Sequence, residues 1–97
     1  MRMNVLVAEM LGTAVFLSVI YATAIKASNP LAPIAIGSAL MVMIFLFGKV
    51  SGGHFNPAVT LMAHFAKRGS SVEDTFMKIG AQLVGALAVV FLVAPLL

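Results

Sequence analysis

The sequence predicts an all-α membrane protein, with three transmembrane helices and one re-entrant half-helix. Three observations carry this expectation. Apolar residues fill 62% of the 97 positions and charged residues 9%, against roughly 45–50% and about a quarter in soluble domains. The apolar residues gather into three stretches close to the ~20 residues that cross a bilayer. A fourth apolar stretch is about half that length and follows a glycine-rich segment. So short a chain has too little interior to hide this much apolar surface from water, which excludes a soluble monomer. The spans also leave no room for a separate catalytic or nucleic-acid-binding domain, so residues 1–97 read as one domain.

The first span covers about residues 4–25 and contains a single charged residue, Glu9. At ~1.5 Å per residue it crosses about 30 Å of hydrocarbon. It is too long for the core of a secretion signal and lacks a small-residue cleavage site, which makes it a mature span. Lys26 to Pro30 form a turn, where Pro30 and Pro33 stop one helix and open the next. The second span, about 31–48, is free of charge. Residues 49–67 hold the loop Lys49-Val-Ser-Gly-Gly-His-Phe-Asn-Pro-Ala and then a short helix. Asn56 suits its N-cap, and Pro57 suits the first turn, where its missing N–H would have had no partner. Running from Pro57 to about Lys67, this helix reaches only about 16 Å, half a bilayer. Gly69 to Ser71, with Glu73 and Asp74, form a polar turn in which Ser71 or Asp74 caps a third span over about 75–95.

The net charge of +3 comes from six scattered Lys and Arg, with no basic run longer than Lys67-Arg68. That distribution reads as a membrane-topology signal and excludes a nucleic-acid patch. Arg2, Lys49, Lys67, Arg68 and Lys78 fall on one side and Lys26 on the other, which places the N-terminus in the cytoplasm of a multi-pass plasma (inner) membrane protein. Cysteine is absent, so there is no disulfide framework and no thiol chemistry. His54 and His64 have no second ligand at short spacing, so neither a metal nor another cofactor is expected. The Met residues scatter through the spans as packing. No set of nucleophile, base and oxyanion donor exists, so an enzyme is not expected. Ala8 and Gly12, Ala35 and Ala39, and Ala81 and Gly85 repeat at four-residue spacing, which lets helix backbones approach closely.

The chemistry concentrates in residues 51–58. Backbone that leaves helical form at membrane depth must be buried in protein or reached by water. An Asn at the mouth of a half-helix directs amide donors and the positive end of the helix dipole to one point, which favours water oxygens and repels cations. A plain N-cap before Pro is the competing reading. Asn29-Pro30 supplies an internal contrast, being a turn without a half-helix behind it. Glu9, a carboxylate within a span, must face protein and find a partner. Gln82 either donates to the loop or bonds a neighbouring helix.

Ser-Gly-Gly-His-Phe-Asn-Pro-Ala-Val-Thr, residues 51–60, closely resembles the loop and half-helix of the first repeat of the major intrinsic proteins, the aquaporins and aquaglyceroporins. Ala8-Glu9-Met-Leu-Gly12-Thr13 resembles that family's first helix, and Gly80-Ala81-Gln82-Leu-Val-Gly85-Ala86 its third. Family members have six spans and two half-helices in inverted repeats, and this chain corresponds to one repeat. The resemblance implies that Asn56 is the pore-lining donor at mid-channel, with Pro57 and Ala58 stacking on an opposed half-helix. Gly52, Gly53 and His54 complete the pore loop, while Glu9 and Gln82 brace it.

Two positions depart from the family. Its second repeat carries Arg directly after Asn-Pro-Ala; here that position is Val59. The aromatic position of the second helix is Ile36. Two copies would then form an apolar constriction, wider than a strict water filter. The expected assembly is an inverted pair of this chain in membrane lipid, with a separately encoded second half or a longer parent chain as alternatives and a tetrameric cluster of pores beyond it. The charge bias favours a separate second half, because an inverted homodimer needs chains in both orientations; the Met start and the complete third span favour the homodimer. The expected function is a passive channel for water and small uncharged solutes such as glycerol. A proton-coupled exporter working through Glu9, and a nonconducting assembly subunit, are the competing functions.

Overall fold

A computed structural model describes residues 2–67 and 71–97. Helix α1, Met3–Ile20, continues through one π-helical stretch, Tyr21–Lys26. Helix α2 is Ala32–Ser51, α3 is Pro57–Lys67, and α4, Val72–Ala88, continues as a π-helical stretch, Val89–Val93, and a 3₁₀ turn, Ala94–Leu96. Three of these continuous helices, Met3–Lys26, Ala32–Ser51 and Val72–Leu96, are long and apolar enough to cross a membrane, whereas the apolar part of α3, Pro57–Ala66, is not.

The helix ends follow local chemistry. Asn29 makes an Asx turn between α1 and α2, its Oδ1 accepting from the Leu31 N–H at 2.8 Å. Helix α2 runs three residues past the apolar stretch, absorbing Lys49, Val50 and Ser51. It stops at Gly52, which takes φ +94° and donates its N–H to the Gly48 carbonyl at 2.8 Å. Helix α4 begins three residues before the sequence-based span, because Ser71 caps it: the Asp74 N–H donates to Ser71 Oγ at 2.9 Å. Glu73 and Asp74 therefore lie in its first turn, where the positive end of the helix dipole favours them.

Helix α1 is the centre of the packing. Glu9, near its start, meets Ser51 at the end of α2, so these two helices are antiparallel. It also meets Gln82, while Val93 and Leu97 line one cleft with Val19 and Thr23, so α1 and α4 run parallel. Gly85 brings them together: a Cβ there would stand 2.6 Å from the Met10 carbonyl oxygen. Ala8, Gly12 and Gly85 are all buried, Gly12 beneath the Phe55 ring. The interior is small and largely polar. Glu9, Thr13, Ser51, Thr60, Thr75 and Gln82 are buried, while large apolar side chains such as Phe45 (81% exposed), Phe65 (77%) and Phe91 (70%) face outward. That inversion of the usual pattern suits a surround of hydrocarbon or further apolar helices.

Candidate functional site

The loop between α2 and α3 is five residues long. Gly52 (φ +94°), Gly53 (φ +65°) and Phe55 (φ +53°) all take left-handed conformations. Gly53 is favoured by its φ, since a Cβ there would make only ordinary contacts with Gly48 and Ile44 at 3.4–3.5 Å. Phe55 is 2% exposed. Its ring packs over Gly12 of α1 and meets the ring of Phe47 edge-on at 6.4 Å between centroids. Gly12 lies about 14 Å along α1 from its start at ~1.5 Å per residue, so the loop tip sits well inside the span.

Such a loop presents backbone N–H groups that lipid would leave unpaired, at a cost of several kcal/mol each. Glu9 takes them. It is fully buried, and its Oε1 accepts from the Phe55 N–H at 2.9 Å and from Gln82 Nε2 at 2.8 Å. Its Oε2 accepts from Ser51 Oγ at 2.6 Å and the His54 N–H at 3.2 Å. Ser51 Oγ accepts in turn from the Gly53 N–H at 3.2 Å. All four groups on the carboxylate are uncharged donors.

Gln82 does more than brace the loop or bond a neighbouring helix. The same Nε2 that reaches Glu9 also donates to Thr60 Oγ1 at 2.8 Å, joining α1, α3 and α4 at one amide. Thr60 Oγ1 lies 3.0 Å from His54 Nδ1 and donates to the Asn56 carbonyl at 3.3 Å. The His54 ring thus serves the loop's internal network, and His64 pairs with Thr75 of α4 at 2.9 Å. No cluster of three or more metal-ligating side chains exists among the described residues.

Asn56 is the N-cap of the half-helix. Its Oδ1 accepts from the Ala58 N–H at 2.8 Å, capping α3. With the amide so oriented, the Nδ2 hydrogens point away from the cap on an exposed residue. Gly52 and Ala58 are exposed beside it, Pro57 and Val59 half-buried. Ile36 stands apart. It is half-buried near the start of α2, fifteen residues before Ser51 and so about 22 Å away along the helix axis. Three participants, Ser51, Thr60 and Lys78, carry no individual site role in the sequence reading, although the first and second lie within the loop motif. Thr60 lies four residues after Asn56, so helical spacing alone would have placed it beside a residue singled out, whereas the partner of Lys78 lies on another helix.

The family description Major intrinsic protein matches residues 1–97, the entire chain. The chain belongs to the major intrinsic protein family. Among its relatives, probable aquaporin PIP2-7 of Oryza sativa subsp. japonica is 36% identical over 96 residues, covering 86% of this chain and 33% of the relative. Glycerol uptake facilitator protein-like 6 of Lactiplantibacillus plantarum is 40% identical over 82 residues, covering 82% and 38%. Human aquaporin-5 is 38% identical over 97 residues, covering 92% and 36%. This major intrinsic protein chain therefore spans little more than a third of the length of those relatives. No solved structure matches it significantly. Family membership and the three long apolar helices make it an integral membrane protein, of a family of channels and not of enzymes.

Proposed function

We propose that this major intrinsic protein chain is half of a passive channel for water and small uncharged solutes of glycerol size, completed by a second copy in inverted orientation. The observation that carries the reading is the half-helix mouth. Asn56 caps α3 through Oδ1 and has its amide hydrogens directed outward, at a loop anchored deep in the span by Glu9. Two such mouths facing each other would present paired donors and two positive helix ends to a water file, a barrier to cations and hydronium. Asn56, Pro57 and Ala58 are the pore-lining set, with Gly52, Gly53 and His54 forming the entrance and Glu9 and Gln82 bracing it. Ile36 lies too far along α2 to meet Val59 of its own chain, so the apolar constriction is proposed to pair Val59 of one copy with Ile36 of the other, a filter without a cation that suits glycerol-like solutes. The names of the relatives, aquaporins and a glycerol uptake facilitator, agree with this substrate class.

The geometry at Glu9 speaks against the proton-coupled exporter. A carrier carboxylate must meet water or substrate to exchange its proton, whereas this one is 0% exposed and surrounded by donors. The proposed setting is a plasma (inner) membrane, with a cytoplasmic N-terminus for one copy of each inverted pair, and clustering into tetramers. Purified chain reconstituted into lipid vesicles tests the reading solute by solute. Swelling in glycerol several-fold faster than in protein-free vesicles, and unchanged when the proton gradient is collapsed, is the expected outcome. Swelling no faster than protein-free vesicles would overturn it.

A further inference from the structure

Lys78 is the one basic residue of α4, and it is not a free surface charge. Its ammonium donates to the Ser51 carbonyl oxygen at 2.7 Å, and the residue is half-buried. Ser51 is the last residue of α2, where carbonyl groups run out of helical partners and the helix dipole is negative, so a cation there is favoured on both counts. A hydrogen bond from an ionised donor is also shorter and stronger than a neutral one.

Ser51 is bonded at both ends. Its carbonyl receives Lys78, while its hydroxyl donates to Glu9 and accepts from the Gly53 N–H. Lys78 lies one helical turn before Gln82, so α4 sends two donors into the loop from one face: Gln82 to Glu9 and Thr60, and Lys78 to Ser51. Lys78 also borders a polar recess of about 30 Å³ shared with His54, His64, Asp74 and Thr75. That volume is enough for a water to serve the ammonium's remaining hydrogens. The positive charge thus sits one residue away from the buried carboxylate, joined to it through Ser51 and not by direct contact.

We propose that Lys78 is a positioning residue of the pore loop: by holding the end of α2 it fixes Ser51, and through Ser51 the Glu9 carboxylate and the direction of Asn56. The effect on Asn56 matters for flux only under the channel reading above, whereas the effect on the loop does not depend on it. Amide hydrogen exchange of the chain in lipid nanodiscs tests the proposal directly. In Lys78→Met, which keeps side-chain length but has no donor, the amides of Gly53, His54 and Phe55 should exchange at least about tenfold faster. Protection in the middle of α1 should be unchanged, and Lys78→Arg should restore most of the loss. Equal loop exchange in Lys78→Met, or acceleration spread evenly over α1 and α2, would overturn the proposal. Should Lys78→Met fail to fold, the unsubstituted protein still decides: its Lys78 ammonium protons should exchange slowly enough to be seen by NMR, and rapid exchange would refute the assignment. In vesicles Lys78→Met should also shift the ratio of glycerol to water permeability. Tight wild-type vesicles alongside the expected exchange pattern would sink the channel reading and leave the positioning role standing.

Discussion

Glu9 is where a single residue decides the most. Four donors converge on its two oxygens, so even Glu9→Gln, nearly identical in shape, turns one acceptor oxygen into a donor facing donors. Removing one member of a buried charged hydrogen-bond set costs a few kcal/mol. Glu9→Gln should therefore lower stability by about 2–4 kcal/mol in detergent unfolding; a loss under about 0.5 kcal/mol would mean the carboxylate does not hold the loop. The sequence made Glu9 legible, because a carboxylate inside a span must have a partner. It did not make Lys78 legible. Counted along the chain, Lys78 is one more charge near a membrane surface, and only the antiparallel return of α2 brings the Ser51 carbonyl within its reach. Gln82 was readable as a donor, but not as a donor to two elements at once, because that needs the half-helix to lie against α4.

At the scale of elements, the half-helix and the close approach of α1 to α4 were both written in short patterns. Pro57 after Asn56 opens α3, and its eleven residues reach only about half the bilayer. Within the four-residue repeats of small side chains, Gly85 marks the α1–α4 contact and Gly12 lies under the Phe55 ring, whereas Ala35, Ala39 and Ala81 are only half-buried. Repeat spacing alone does not tell which pair faces a neighbour, since that depends on helix rotation. The glycines of α4 give a paired test. A Cβ at Gly85 would stand 2.6 Å from the Met10 carbonyl oxygen, a backbone atom that cannot move without separating the helices, while a Cβ at Gly80 meets nothing within 4 Å. Gly85→Ala should destabilise the chain by about 1–3 kcal/mol, and Gly80→Ala should be neutral or stabilising by up to about 1 kcal/mol. Equal unfolding midpoints for the two variants would contradict this packing. The ends of α2 and α4 were less legible, since Gly52 and Ser51 of the loop region terminate and extend α2 through backbone geometry that hydropathy does not register.

The whole molecule is polar at its centre and apolar at its surface. Its buried set includes Glu9, Ser51, Thr60 and Gln82, while Phe45, Phe65 and Phe91 face outward. Composition alone announced a membrane protein, and the loop motif announced the family, but neither says which outward faces meet lipid and which meet another repeat. In the proposed channel two half-helices meet at their Asn56-Pro57-Ala58 ends. The absence of cysteine allows a clean measurement. A single Ala58→Cys substitution places one thiol at the mouth of α3, and Ala66→Cys places one near its far end. A disulfide forms only when the two Cα atoms come within about 7 Å. In oxidised lipid vesicles Ala58→Cys should run as a covalent dimer and Ala66→Cys as a monomer. Ala58→Cys remaining monomeric under the same oxidation would contradict the pairing of two inverted copies.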